Sequence, residues 1–192
     1  MLKLTTLTEK DYDKYKSMRQ EWIESNTYLC PDLLEDVVEN KEQYSTLLQK
    51  LENKLNGKHE DLDWYQFGHY FIIQENDEFI GAVAIRENLT ELGDRIWGNI
   101  ALGIRPSKRC QGYAKKSLKL TIQKCKDLGM NRITACHYIE NKISPKLIKS
   151  CGGVYEDTVI SEYSGKEIKR YHFWNTKRNC LKKTISFLII NK

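Results

Sequence analysis

Ile104-Arg105-Pro106-Ser107-Lys108-Arg109-Cys110-Gln111-Gly112-Tyr113-Ala114 is the stretch that decides how this chain reads. An apolar, strand-like run from Ile100 enters it. A helix over 114–128 leaves it, because Ala114, Leu118, Ile122, Cys125 and Leu128 recur at the three- and four-residue spacing of a half-buried helix. Strand, tight turn and helix start together present a fan of backbone N–H groups without helical partners. Those groups and the helix dipole favour an anion, a phosphate above all. Gly112 keeps side-chain bulk off the turn, so a pyrophosphate can approach the backbone. Lys108, Arg109, Lys115 and Lys116 add positive charge around the same point.

Neither common nucleotide loop is present: there is no Gly-x-x-x-x-Gly-Lys-Ser/Thr here and no Gly-x-Gly-x-x-Gly. What stands there is Arg-x-x-Gly-x-Ala, at Arg109, Gly112 and Ala114. Gly129 stops the helix that follows, and Arg132 to Cys136 reads as a buried strand. Then comes Asn141-Lys142-Ile143-Ser144-Pro145, with Ser144 as helix cap and Pro145 in the first turn. Gly152 and Gly153 end that second helix. Loop, helix, strand and second helix in this order resemble the GCN5-related N-acetyltransferase (GNAT) superfamily. Ile-Arg-Pro-Ser, Gly-Tyr-Ala and the later Gly-Gly-Val-Tyr-Glu resemble one bacterial branch of it. The likeness covers residues 64–174 well and the N-terminal part loosely. It implies an α/β (α+β) GNAT fold: a mixed, mostly antiparallel, splayed seven-stranded sheet flanked by helices. A single acetyltransferase domain over 1–174 would then carry a basic and apolar extension over 175–192.

Composition sets the outer bounds. A chain of 192 residues fits one domain with a sizeable core. No apolar run reaches the length of a membrane span, and Met1-Leu2-Lys3-Leu4-Thr5 lacks a signal-peptide pattern, so a cytoplasmic protein is expected. The six cysteines form no Cys-x-x-Cys pair, which argues against structural zinc and for free thiols. A net charge of +5 is too mild, and too little interleaved with aromatics, for a nucleic-acid binder.

The remaining elements follow from periodicity. Leu2 to Thr6 reads as a strand. Thr8-Glu9-Lys10-Asp11 opens a helix through Glu24. Residues 31–55 read as helix, broken near Asn40. Tyr70 to Gln74 and Phe79 to Ile85 form a hairpin across Asn76-Asp77. Leu89 to Arg95 reads as a loop, Ile96 to Ile104 as the fourth strand, and Val154 to Ile160 with Ile168 to Trp174 as a closing hairpin. The tail from Asn175 suits an added edge strand or a contact in a homodimer.

The resemblance also assigns chemistry. Acetyl-CoA is the co-substrate, with no metal. Its pyrophosphate sits on the N–H groups of Arg109, Cys110, Gln111, Gly112, Tyr113, Ala114 and Lys115, and its pantetheine runs beside Ile104 with Asn141 and Ser144 on the other wall. Ser144 reads equally well as a plain helix cap, and Asn141 as a loop-turning residue. A backbone N–H near Leu102 or Gly103 would polarise the thioester. For the base, the fourth strand offers no carboxylate, which leaves Glu87, His137, Tyr138 and Glu140. Where many relatives place a tyrosine acid on the last helix, this chain has Ile148. The acceptor would be a primary amine of a small molecule or peptide, attacking directly. The rival reading is a catalytically silent acyl-CoA-binding module.

Overall fold

The computed structural model describes residues 1–175. Seven strands form two antiparallel sheets. β1 (Lys3–Thr5), β2 (Tyr65–Glu75), β3 (Glu78–Leu89) and β4 (Ile100–Ile104) make the first, in the order β1-β2-β3-β4. β5 (Arg132–Tyr138), β6 (Val154–Ile160) and β7 (Glu167–Trp174) make the second, in the order β5-β7-β6. The β2–β3 hairpin turns on Asn76 and Asp77, both at positive φ (48° and 64°), as a two-residue turn matching strand twist requires.

The sheets meet at one point and then part. Gly98, at φ 67°, pairs with Ala135. Beside it Asn99 bonds both sides at once: its Nδ2 donates to the Arg86 carbonyl (2.7 Å), and its Oδ1 accepts the Thr134 N–H (2.7 Å). Asn99 thus fills the join with its own amide, and beyond it β4 and β5 diverge with no further pairing. The expected fourth strand over 96–104 is therefore shortened to Ile100–Ile104, because Gly98 turns the chain and Asn99 spends its side chain on the neighbours.

Helices cover both faces. α1 (Tyr12–Glu24) and α2 (Lys41–Leu55) pack Tyr15, Met18, Trp22, Tyr44 and Leu47 against Tyr70, Ile72, Ala82 and Ala84. α4 (Tyr113–Asp127) lays Leu118, Ile122 and Cys125 on Val83, Ile85, Ile100 and Ile133, and α5 (Ser144–Ser150) adds Ile148 to the same layer. Each large side chain so buried stabilises by roughly 1.5–3 kcal/mol relative to exposure.

Two other expectations are corrected. The loop expected over 89–95 contains a short helix, α3 (Glu91–Ile96). Thr90 caps it by accepting the Gly93 N–H (3.1 Å), and Gly93 lies flat on the Trp64 carbonyl, where a Cβ would sit 2.0 Å away. The helix expected from 31 reduces to one turn over Asp32–Leu34. Asn40, extended and capping Gln43 N–H (2.9 Å), starts α2 afresh. Leu33, Leu34 and Val38 are buried but Val37 is exposed, so the apolar residues here do not share one helical face. The tail from residue 176 lies outside the described residues.

Candidate functional site

Six consecutive backbone N–H groups stand free where β4 runs into α4. The turn Pro106–Lys108 uses the N–H groups of Lys108 and Arg109 on Arg105 and Pro106. The next N–H with a backbone acceptor is that of Lys116, on the Gly112 carbonyl (3.4 Å). Residues 110–115 lie between, and among the described residues no acceptor takes their N–H groups. Cys110 (φ 59°) and Gly112 (φ 81°) give the turn its curl. At Gly112 an added Cβ would meet no atom within 4 Å, so the space over the turn is open. Open donors at the positive end of a 15-residue helix make an anion cradle.

The expected cations divide into two groups. Lys115 and Lys116 are exposed at the cradle. Lys108 pairs with Glu78 (2.7 Å). Arg109 turns inward: its Nε donates to the Ile104 carbonyl (3.0 Å) and its guanidinium to Thr27 Oγ1 (3.0 Å), over the Trp22 ring. Arg109 therefore holds the turn together. Glu21 of α1 anchors the same turn, accepting the Ser107 N–H (2.5 Å) and pairing with Arg105. Burial alone would raise the Glu21 carboxyl; the Ser107 N–H and Arg105 bring it below the usual range. Gln111 closes back onto the Ser107 carbonyl (2.8 Å), and Tyr113 onto Glu75 (2.9 Å).

β4 carries an open edge below this cradle. Arg86 N–H bonds Asn99 O and Arg105 N–H bonds Ile80 O. In an antiparallel ladder bonded pairs alternate, so with this register Ala101 and Gly103 also spend their groups on β3. Leu102 and Ile104 direct theirs to the gap between β4 and β5. Of the two expected donors, the structure places the Leu102 N–H on the open edge and the Gly103 N–H inside the ladder. Gly103 serves another purpose: a Cβ there would meet the Cys30 carbonyl at 2.0 Å, so the loop over 28–31 seats directly on β4. The Cys30 thiol then lies on the Leu102 N–H, and burial pushes it up to about 12. Sulfur is a weak acceptor, so this N–H is oriented but not committed.

α5 forms the opposite wall. Its first N–H groups are capped by Asn141, whose Oδ1 accepts from Ile143 (3.1 Å) and Ser144 (3.0 Å). Asn141 rather than the expected Ser144 thus caps the helix, and among the described residues the Ser144 hydroxyl makes no hydrogen bond. Ile148 is buried in the core.

The candidate bases are dispersed. Glu87 lies within β3 on the α4 face, paired with His69. With Asn88, Asp94, Asn99, Leu128 and Arg132 it lines a cleft of about 400 Å³ near the C-terminal end of α4, a helix length of roughly 20 Å from the cradle. Glu140 faces Lys166 (3.8 Å). His137 shares the α4–α5 face of β5 with Ile133 and Ala135, stacked on Tyr171. Its Nδ1 donates to the Tyr138 carbonyl (2.8 Å), so Nε2 keeps a lone pair, and that atom is buried and among the described residues has no partner. Burial lowers its pKa, so the ring is neutral near pH 7. Tyr138 faces the other way, exposed and under Lys166.

One polar cluster draws on two acidic stretches, Asp32 to Glu42 and Glu60 to Asp63, which in sequence suit a cationic amine or plain solvated surface, but its basic and tyrosine members carry no such sign. Lys54, only 5% exposed, reaches Asp61 (2.8 Å), Asp32 (3.1 Å), Tyr65 (3.1 Å) and Tyr70 (3.3 Å). Tyr70 donates to Asp32 (2.8 Å), and so does Arg86 (3.3 Å), whose guanidinium lies over the Tyr65 and Trp97 rings. Burial would raise the Asp32 carboxyl, but Arg86, Lys54 and Tyr70 bring it below its ordinary value. The readable signal was Lys54 itself, which continues the buried stripe of Leu47 and Leu51 along α2.

Two antiparallel sheets splayed beside a helix-start anion cradle define an acyl-CoA-binding transferase fold. The family follows directly: the acetyltransferase (GNAT) domain matches residues 1–154, and the chain belongs to that family. As a GNAT enzyme it is an N-acetyltransferase that uses acetyl-CoA as co-substrate. The fold is similar to that of the ribosomal L7/L12 alpha-N-protein acetyltransferase RimL in complex with coenzyme A (TM-score 0.65, 15% identity, 90% of this chain and 93% of that one). It is also similar to the spermidine/spermine N-acetyltransferase SpeG from Vibrio cholerae (0.61, 18%, 92% and 96%). A third similar structure is the microcin C7 self-immunity acetyltransferase MccE with acetyl-CoA and AMP (0.63, 16%, 90% and 92%). No curated protein matches the sequence. No helix of the described residues is long and apolar enough to cross a membrane, and among those residues no His, Cys, Asp and Glu side chains group to hold a metal ion.

Proposed function

We propose that the chain moves the acetyl group of acetyl-CoA to a primary amine of a small molecule or peptide, by direct attack in a ternary complex. The observation that carries this is the row of unbonded N–H groups from 110 to 115, continuous with the open edge of β4. The cradle receives the pyrophosphate, with Lys115 and Lys116 beside it. Leu102 and the Ile104 N–H offer the pantetheine arm the hydrogen bonds of a missing strand, and Asn141 and Ser144 border the other side. The Leu102 N–H polarises the thioester oxygen; one such preorganised donor can be worth about 3 kcal/mol. His137, neutral and with a free Nε2, accepts a hydrogen bond on the cofactor side. Proximity supplies much of the remaining rate.

The burial of Ile148, where relatives carry a tyrosine acid, favours a second reading, a silent acyl-CoA-binding module. One experiment separates the two: the full chain with acetyl-CoA and a panel of amines, followed by free-thiol release and by mass of the product. Acetylated amine with equal release of CoA supports transfer. Tight CoA binding without turnover on any amine supports the silent module.

A further inference from the structure

Acetylating an amine that is protonated at neutral pH requires a group on the acceptor side that can hold an ammonium ion and take its proton. β4 carries no carboxylate. Glu87 is on the other face and Glu140 is paired to Lys166. The corner that follows Cys30 supplies a carboxylate instead.

That corner is rigid. Tyr15 donates to the Leu33 carbonyl (2.8 Å), Arg19 to the Leu34 carbonyl (3.0 Å), and the Glu35 N–H to the Asp32 carbonyl (2.9 Å). Leu33 and Leu34 are buried beneath it. Glu35 itself is exposed. Its carboxylate has one hydrogen-bond partner, the Tyr28 hydroxyl (3.4 Å), and among the described residues no cation forms an ion pair with it. Tyr28 and Cys30 belong to the loop whose Cys30 carbonyl seats on Gly103 of β4, and Tyr28 ties Glu35 to that loop. Glu35 therefore stands beside the loop that seats on β4. It is on the α1–α2 side, away from the cradle helix.

The groups around it are Tyr28, Cys30, Asp32, Asp36 and Lys50. Asp36 is engaged by Lys50 (2.7 Å), and Asp32 by Arg86 and Lys54. The two neighbouring carboxylates thus part company. Asp32 is held ionised, while burial and the Asp32 charge raise Glu35. Two carboxyls pushed apart by their surroundings divide into a fixed charge and a proton carrier. The exposed Tyr28 ring beside Glu35 also favours a cation.

We infer that Glu35 is the acceptor-side carboxylate of this enzyme: it binds a positively charged alkyl amine and removes its proton before nitrogen attacks the thioester. This rests on the transfer reading above. The nitrogen lone pair forms the bond to the acetyl carbon as the carbon–sulfur bond breaks. Glu35 passes the ammonium proton to solvent, and the second N–H proton, lost as the new bond forms, reaches the departing thiolate through water, so ammonium and acetyl-CoA become acetamide, CoA thiol and one released proton.

The test uses the full chain and Glu35→Gln, with Glu35→Asp as a partial rescue. Acceptors are spermidine, lysine amide, a peptide with a free N-terminal serine, and hydroxylamine, which is uncharged at neutral pH and needs no proton removed first. Glu35→Gln is expected to cut kcat/KM for a charged amine by about 100-fold. Its pH–rate curve should lose the limb set by a carboxyl titrating above the ordinary Glu value. Hydroxylamine turnover, thermal unfolding and acetyl-CoA affinity should stay near wild type, and Glu35→Asp should recover part of the loss. Wild-type rates and pH dependence in Glu35→Gln, on an amine the wild type acetylates, would overturn the assignment alone. Equal loss with hydroxylamine and charged amines would also overturn it, because the residue would then shape the site without carrying a proton. A wild type that binds acetyl-CoA but acetylates nothing, hydroxylamine included, would instead overturn the transferase reading on which it rests.

Discussion

Replacing Lys54 by methionine removes one nearly buried charge and nothing else of comparable size. Its Nζ holds Asp61, Asp32, Tyr65 and Tyr70 within 2.8–3.3 Å. Stripping one partner from a fully buried ion pair costs about 3–5 kcal/mol, because the other charge is left unpaired. Here the cost is smaller. Asp32 keeps Arg86 and Tyr70, Asp61 keeps Tyr65 (3.2 Å), and the two carboxylate side chains are 30% and 42% exposed. We expect about 2–3 kcal/mol, and at roughly 2–4 °C per kcal/mol for a chain of this size the midpoint should fall by about 5–10 °C. The pH dependence has a definite sign. Asp32 and Asp61 lie below their ordinary values in the folded state. Their contribution is present above about pH 4 and fades as acid titrates them. Lys54 is raised: burial alone would lower it, but Asp32 and Asp61 outweigh that. Its contribution holds below about pH 10 and fades above. Thermal unfolding by circular dichroism of both proteins, from pH 3 to pH 10, should show a deficit that is full in the middle and shrinks on acidification. A midpoint within about 2 °C of wild type at neutral pH, or a deficit that grows in acid, would refute this account of the cluster.

Gly103→Ala should cost about 1–3 kcal/mol, because the new Cβ meets the Cys30 carbonyl rather than a side chain that can yield. Loss of turnover larger than loss of CoA affinity, by parallel kinetics and calorimetry, would confirm that this glycine seats the acceptor loop. Glu21→Gln should loosen the cradle from α1 by weakening the bonds to Arg105 and Ser107. CoA affinity should drop by about tenfold, the cost of roughly 1.4 kcal/mol of lost preorganisation, with little change in the far-ultraviolet spectrum.

Much of the fold was legible because its signals are local. The Asn76-Asp77 turn, the stripe from Leu118 to Cys125 and the glycine after Cys110-Gln111 each specify their own geometry. The cradle was legible for the same reason, since a row of free N–H groups belongs to a strand–turn–helix corner whatever surrounds it. Side-chain roles there were less so. Arg109 reads as a phosphate ligand in sequence and caps Ile104 in space, because Trp22 of α1 and Thr27 just after it arrive from far away in the chain. Ser144 reads as a cap and is relieved of that task by Asn141, three residues earlier. The acceptor side was the least legible. Asp32, Lys54, Tyr70 and Arg86 come from four separate elements, and Glu35 gains its character from neighbours that only the fold assembles. Gly98 and Asn99 show the middle case: a glycine inside a strand pattern is a general sign of interruption, but nothing local says that an amide fills the join of two sheets.

The most direct test of the account is calorimetric titration of acetyl-CoA and CoA into the wild-type chain and into Gly112→Asp. The substitution points bulk and negative charge into open space above the cradle, where it meets no protein atom, so the fold should survive apart from about 1–3 kcal/mol of backbone strain at positive φ. We predict micromolar binding of both ligands to the wild type and none to the variant, with matching circular dichroism spectra. Equal affinity in the two proteins, or no binding to the wild type at millimolar ligand, would contradict the placement of the cofactor on residues 110–115.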